Sequence, residues 1–522
     1  MTITRSAYGN ICLVASLLGA IACSAPAEST SETAGAEAVS VTSSALTAQD
    51  RLTTCAQDPR VITGLVTAQV CAGADIFFRE TFNGNGRTCG TCHSASHNLT
   101  IDRDFVATLP PTDPLFVAEQ NPDLMNLEGP DLRAQGGILE NVDGLESPTT
   151  KFVVRSVPHL LSMSTSITRD PGDGTASPPT QRTGWGGDGA PGDGSLRNFL
   201  SGAVTQHYPK HLARQAGVDF RLPTAQELDL TLAFQLSLGR TNELDLTQVN
   251  LADADSNEGR RAFMDPLRGR CNVCHNNAGA NFQDTHLNRN FNTGVGQAPV
   301  FSNPFDGGFG GQGLAQPNFD TFNRGVLDAF GDGTFSTPPL IEAADTGPFF
   351  HTNAFFPLEA AVGFYNLPQF QNSPAAQVLN ARFGAPLVLT NDDLGKIARF
   401  LRDINAAFNL DIAKQRLRAA LTLVNRFHDQ RADVQIGLIQ LAVNELDDAM
   451  KDMTDTPVVP PLHPVAQDRI NLAKSEITAA LAATTYLDRS GHVSTAISRV
   501  ENARDQFGAN LNFALGQGNL MF

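Results

Sequence analysis

Six residues in two short runs carry the clearest chemistry: Cys89-Gly90-Thr91-Cys92-His93 and Cys271-Asn272-Val273-Cys274-His275. In a C-x-x-C-H run, one helical turn brings both thiols to the same edge of a porphyrin. Each thiol can then add to a vinyl group while the adjacent histidine points at the iron. A structural zinc site needs four closed ligands, and neither run has a second C-x-x-C partner. A thioredoxin-like C-x-x-C needs a βαβ setting, and none is evident. With only 8 Cys and 11 His in 522 residues, two chance copies are negligible. The sequence therefore predicts two covalently bound c-type haems, with iron ligands His93 and His275.

Helices must position these runs. Helix-like periodicity precedes the first over Thr67 to Phe82, with Ile76, Phe77, Phe78 and Phe82 near one face. It precedes the second over Ser256 to Met264, with Phe263. Thr224 to Arg240 opens with a Thr-x-x-Glu capping box and closes the first unit, and Asn391 to Phe408 closes the second. Beyond Leu410, three further helical patterns follow, Ala413 to Met450, Val465 to Tyr486 and Val493 to Phe507, with a Pro-rich break at Thr456 to Pro464. That region holds no Cys and reads as a docking or oligomerisation appendage, with His428, His463 and His492 as ordinary surface or core residues. The expected fold is mainly α: two tandem cytochrome c-type haem domains, 50–245 and 246–412, with long Gly/Pro-rich loops and a helical extension, 413–522. The 45 Gly and 30 Pro fit those loops.

The N-terminus bears on compartment. Arg5 precedes an apolar run from Ile11 to Ala22, too short to span a bilayer and suited to the core of a secretory signal. Ala20-Ile21-Ala22-Cys23 is similar to a lipobox, which makes 1–22 a lipoprotein signal peptide, Cys23 the lipidation site and 23–49 a disordered tether. An ordinary signal cut nearby is the alternative. The expected location is periplasmic or at the outer membrane, with membrane contact only through the lipid. Export permits a disulfide, and Cys55 with Cys71 is the pair remaining once the other cysteines are assigned; two free thiols are the rival. The balance of 37 basic and 54 acidic residues, a net charge of −17, argues against a nucleic-acid partner.

Tandem runs in this setting resemble the bacterial dihaem cytochrome c peroxidase superfamily, including the dihaem enzyme that matures methylamine dehydrogenase and, more distantly, the dihaem rubber oxygenases. The resemblance covers roughly 65–410. Arg155-Ser156-Val157-Pro158-His159-Leu160-Leu161 is similar to the family's Arg-Asn-Thr-Pro-x-Leu-Leu segment, and Trp185-Gly186-Gly187-Asp188-Gly189 to its Trp-Asp-Gly segment. Phe291-Asn292-Thr293-Gly294-Val295 and Thr346-Gly347-Pro348-Phe349-Phe350-His351 resemble two later landmarks. The resemblance implies a reactive N-terminal haem, an electron-transferring C-terminal haem, and Trp185 as a relay between them. It also implies a calcium ion held near Ser156, Thr346 and Pro348, with Ser156 replacing the family's Asn.

The sixth ligand of the second haem follows two routes. No Met lies between Met264 and Met450, which leaves His286, His351 and Tyr365 as the polar candidates. The family's spacing from the His of its Pro-x-x-His segment selects Tyr365, with His351 next. In the reactive pocket the chain departs from the peroxidases: Phe199 falls at the family's Gln and Pro209 at its Glu. No Asp or Glu occurs from Gly194 to Val218, where Gln206, His207 and His211 are the polar residues. His207 is a substitute acid/base or a structural histidine, and Phe199 makes the distal face apolar, as in the rubber oxygenases. Three functions follow as expectations: a peroxide-dependent oxidoreductase, an oxygenase acting on an unsaturated hydrophobic substrate, or a surface electron-transfer cytochrome. Expected partners are hydrogen peroxide or dioxygen and an electron-exchanging protein such as a small cytochrome c.

Overall fold

Polar caps fix where the main helices begin. In the computed structural model, the Thr67 hydroxyl accepts from Val70 N and opens the helix Ala68–Arg79. Thr224 and Glu227 close the expected capping box at Ala225–Gln235. Asp253 caps Ala254–Met264, and a second capping box, Thr390 with Asp393, starts Asn391–Phe427. The structure describes residues 46–125, 131–140, 153–175, 179–189, 193–297, 306–308, 315–316, 329–454 and 461–521. Helix accounts for 54% and strand for 8%, so the fold is mainly α. The signal peptide, Cys23 and nearly all of the tether lie outside the described residues. Among the described residues, no helix is long and apolar enough to cross a membrane.

Two helix crossings of the same design organise the chain. Ala68–Arg79 packs on Ala225–Gln235, and Ala254–Met264 packs on Asn391–Phe427. Each crossing is closed by a glycine on the first helix: a Cβ at Gly73 would lie 2.0 Å from Leu230 O, and one at Gly259 would lie 1.8 Å from Lys396 O. Four residues after each glycine a buried phenylalanine meets a second one on the partner helix. Phe77 and Phe234 have ring centroids 5.3 Å apart, and Phe263 and Phe400 are 5.4 Å apart. Removing the side chain at the crossing lets the backbones approach until these rings interlock.

Short strands tie the loops to this helical frame. Gly137–Glu140 pairs antiparallel with Val153–Ser156, whose four residues are all buried. Asn290–Phe291 pairs antiparallel with Ala329–Ser336, with Phe291 opposite Phe335. The Gly187 loop locks onto this sheet, because Ser336 N donates to Trp185 O at 2.9 Å.

The C-terminal helices differ from expectation in where they break. The boundary expected between 412 and 413 falls inside the continuous helix Asn391–Phe427. Residues 400 to 413 are buried on every face, the polar Arg402, Asp403, Asn405, Asn409 and Asp411 included, so polar positions there do not mark a solvent face or an end. The break comes instead at 428–431, where His428 and Arg431 both take positive φ, 53° each. Ala432–Thr454 then runs back along the long helix, burying Leu438, Ile439, Ala442, Leu446, Ala449 and Met453. Pro464–Ala482 and Tyr486–Arg504 form a further helical pair, and the chain returns through Gly508–Ala509 to pair with Asn250–Leu251. Leu46–Phe522 is one compact unit, so the extension is built into the same body as both motifs.

Candidate functional site

Both C-x-x-C-H runs form single helical turns, Cys89–Cys92 and Cys271–Cys274, and both histidines lie just past the turn with non-helical backbone. His93 Nδ1 lies 2.9 Å from Leu99 O, and His275 Nδ1 lies 3.0 Å from Pro338 O. A carbonyl only accepts, so the ring proton sits on Nδ1 in both, leaving Nε2 as the free nitrogen. Burial pushes each imidazole down to about 4, so both are neutral, the form that ligates a metal. Burial likewise pushes the Cys89 thiol up to about 11, and Cys271 and Cys274 up to about 12. The Tyr208 hydroxyl donates to Cys89 Sγ at 3.2 Å.

All six motif residues line one continuous cavity of ≈ 410 Å³. Its walls come from both crossings: Phe77 and Gln235 at the first, Phe263, Ile397 and Leu401 at the second. Leu196–His207, capped by Ser195, supplies a further wall. Leu196, Phe199, Leu200, Ala203 and His207 face the cavity at helical spacing, so this wall is apolar except at its C-terminal end. There Gln206, 1% exposed, places its amide nitrogen 3.0 Å from His207 Nε2. An amide nitrogen only donates, so His207 Nε2 accepts and its proton sits on Nδ1. Burial, reinforced by the positive charges of Arg87 and Arg214, pushes His207 down to about 3.

The remaining expected residues meet the same cavity. Trp185 lines it and donates from Nε1 to Ser156 O at 2.9 Å. Ser156 N donates to His351 O at 2.7 Å, and Ser156 Oγ to Phe350 O at 3.1 Å. His351 stacks on Phe335 at 4.1 Å and meets Trp185 edge-on at 6.5 Å. Tyr365 lines the cavity between Phe364 and Phe370, and burial raises its phenol well above the usual value. A phenolate there needs a cation beside it. His286 lies outside the cavity lining, with Nδ1 3.0 Å from Asn276 Nδ2.

Thr346 and Pro348 line the cavity with Ser156, but the Thr346 hydroxyl donates back to Glu342 O and Ala343 O. Among the described residues, no three His, Cys, Asp or Glu side chains converge as a metal cluster. Cys55 and Cys71 form a disulfide, joining Ala48–Cys55 to Ala68–Arg79. His211 turns away to Asp219.

Sequence reasoning missed the crossing glycines, the carbonyls of Leu99 and Pro338, and the cavity-lining His159. A glycine inside an amphipathic pattern, at matching distance from a phenylalanine in both copies, was the signal available for the first of these. Backbone acceptors leave no residue-type signal at all.

A covalent tetrapyrrole fits this arrangement: paired thiols on one turn, a neutral imidazole fixed through Nδ1, and an apolar cavity spanning both turns. Comparison with family models, with curated proteins and with solved structures finds no match to this chain.

Proposed function

We propose that the chain is an exported dihaem c-type oxidoreductase, of the kind found in the cytochrome c peroxidase superfamily, that reduces hydrogen peroxide using electrons from a small donor protein. The observation that carries this reading is the placement of both C-x-x-C-H turns on one cavity, each histidine fixed by a backbone carbonyl through Nδ1. The haems would supply redox chemistry and an open coordination position. The chain's residues do the rest. Cys89, Cys92, Cys271 and Cys274 would tether the groups, and His93 and His275 would ligate them. Tyr365, which lines the same cavity, would be the further ligand of the second group. Trp185 and His351, bridged by Ser156 on the cavity wall, would carry electrons between the two groups.

At the first group, Leu196, Phe199, Leu200 and Ala203 exclude water. His207, kept neutral by burial, is the imidazole on that wall; its basic Nε2 is held by the Gln206 amide and accepts a proton once that amide moves aside. Peroxide reduction requires moving a proton between the two oxygens, and His207 takes the place of the carboxylate that Gly194 to Val218 lacks. The apolar wall around Phe199 also favours a second reading, an oxygenase that admits a hydrophobic unsaturated substrate and dioxygen.

Haem content and turnover test the proposal together. Purified holoprotein is expected to carry two haems per chain by haemochrome assay, and a Cys89→Ala/Cys92→Ala variant one. Hydrogen peroxide with a reduced donor is expected to oxidise the donor rapidly, and His207→Leu to slow it on the order of 10²-fold. A stable dioxygen complex without peroxide turnover refutes the peroxidase reading in favour of the oxygenase. Two haems inert to both oxidants leave electron transfer alone.

A further inference from the structure

Tyr208 has no part in the scheme above, yet its hydroxyl meets the first cysteine of the first motif. It closes the helix Leu196–His207, its N–H donating to Val204 O at 3.2 Å, and it lines the cavity with only 3% of its surface exposed. The segment just before the motif holds it there. Asn85 N donates to Tyr208 O at 2.8 Å, and Asn85 Nδ2 donates to His207 O at 3.0 Å and to Pro209 O at 3.1 Å. Gly84 lies so close that a Cβ on it would stand 2.3 Å from Tyr208 O and 3.0 Å from Tyr208 Cβ. The Phe82 ring meets the phenol edge-on, with centroids 5.8 Å apart. Held in this way, the hydroxyl donates to Cys89 Sγ at 3.2 Å, and that sulfur is its hydrogen-bond partner among the described residues.

The second motif is arranged the other way round. Cys271 Sγ lies 3.4 Å from Gly269 O, so there the sulfur is the donor and a carbonyl the acceptor. Forming a thioether replaces the S–H proton with carbon. The bond from Cys271 is then lost, because neither atom retains a proton to donate. The bond to Cys89 survives, because its proton belongs to the phenol and a thioether sulfur still accepts. Burial holds that phenol well above its usual value, so it keeps the proton. A buried hydroxyl stripped of its partner costs roughly 1–3 kcal/mol, which favours keeping the contact.

We propose that Tyr208 is a positioning residue for the first tetrapyrrole: its phenol hydrogen-bonds the Cys89 thioether sulfur and makes that group easier to reduce than it would be without the bond. The inference rests on the dihaem reading. On reduction the donor protein loses one electron and the first group gains it; no bond to Tyr208 forms or breaks, and no proton moves. An electron added to an apolar interior raises the local negative charge where solvent screens it poorly. A hydrogen-bond donor on the tethering sulfur draws electron density outward and offsets part of that charge, hydrogen bonding around a haem being one of the levers on its potential. Among the described residues no donor reaches Cys271 Sγ, so the effect belongs to the first group alone.

The test is a spectroelectrochemical titration of purified holoprotein in which each haem is followed by its own bands, assigned with the Cys89→Ala/Cys92→Ala variant. Tyr208→Phe keeps the ring against Phe82 and removes the hydroxyl. It is expected to shift the reduction equilibrium of the first haem about threefold or more toward the oxidised form, roughly 30 mV at about 59 mV per tenfold for one electron, and to leave the second haem where it was. Phe82→Leu loosens the ring packing and keeps the hydroxyl. It is expected to lower the melting temperature while shifting the first equilibrium less than Tyr208→Phe does. An unchanged first haem in Tyr208→Phe, equal shifts in both haems, or a shift in Phe82→Leu as large as that in Tyr208→Phe overturns the assignment. A wild-type protein without two haems instead refutes the dihaem reading, so the two failures are distinguishable.

Discussion

The glycine crossings give the sharpest mechanical test of how the site is held. In Gly73→Ala the new methyl would meet Leu230 O at 2.0 Å, Leu230 C at 2.7 Å and Phe234 Cβ at 2.8 Å. Two of those atoms are backbone, so no rotamer change relieves the contact. The helices must separate by roughly an ångström to restore ordinary van der Waals distance, which also parts Phe77 from Phe234. Overpacking of this kind costs typically 1–3 kcal/mol, and the upper part of that range applies where backbone blocks backbone. Against it stands the helix propensity gained on replacing glycine with alanine, about 1 kcal/mol. The net expectation is a loss of about 2 kcal/mol. Gly437→Ala is the matched control: it sits within Ala432–Thr454, with nothing within 4 Å of its added Cβ. There only the propensity term operates, and stability is expected to rise by up to about 1 kcal/mol. Denaturant or thermal melts of the two variants should therefore move in opposite directions. Gly73→Ala matching or exceeding the stability of Gly437→Ala would falsify the argument that the crossing depends on the missing side chain.

Three further perturbations address other parts of the chain. Breaking the Cys55–Cys71 disulfide with Cys55→Ser reopens a 16-residue separation and is expected to cost about 3 kcal/mol on the chain-entropy account; an unchanged denaturation midpoint contradicts it. His207 has a folded value of about 3 against an ordinary 6.5, so the unfolded chain binds the extra proton between those limits. Its contribution is complete above pH 6.5 and is lost as pH falls toward 3, at up to about 1.4 kcal/mol per pH unit. His207→Leu is expected to flatten that acid limb in pH-dependent melts, and a limb parallel to wild type removes the assignment. Tyr365→Phe keeps the ring packing on Phe364 and Phe370. On the proposed ligation it is expected to change the ferric spectrum of one haem and make it easier to reduce, and an identical spectrum excludes the phenol as ligand.

Much of the site was legible because covalent chemistry demands particular residues at particular spacings. The two C-x-x-C-H runs needed no tertiary information, and neither did the Thr224 capping box. Cys55 and Cys71 were reached by elimination among few cysteines. Legibility failed where burial is complete. The stretch from Phe400 to Ala413 is buried on every face, so its polar residues, Arg402, Asp403, Asn405, Asn409 and Asp411, face neighbours rather than solvent, and their pattern suggested a boundary inside a single helix. It failed again where the partner is backbone, as at Leu99 and Pro338. It failed a third time at Tyr208 and Cys89, which are brought together only by the fold.

The tandem design is clearest in geometry that neither motif spells out. Gly73 and Phe77 stand to Leu230 and Phe234 as Gly259 and Phe263 stand to Lys396 and Phe400, with the same spacing of four within each helix. The cysteine runs attach to this frame through linkers of different length, Phe77 to Cys89 and Phe263 to Cys271, which hides the repeat from a linear comparison. The histidine anchors diverge further: Leu99 follows His93 almost at once, whereas Pro338 arrives after a long excursion through the strands. A helix-interior glycine ordinarily weakens a helix. Here two of them allow the close crossings on which both motif turns are mounted. The crossing is therefore the part that must stay constant, while linkers, anchors and cavity walls vary around it. It follows that Gly259→Ala should disturb the second site much as Gly73→Ala disturbs the first, and on the proposed cofactor content the spectrum of the other haem should stay intact in each variant. Equal disturbance of both haems by either substitution would show that the two crossings are not independent mounts.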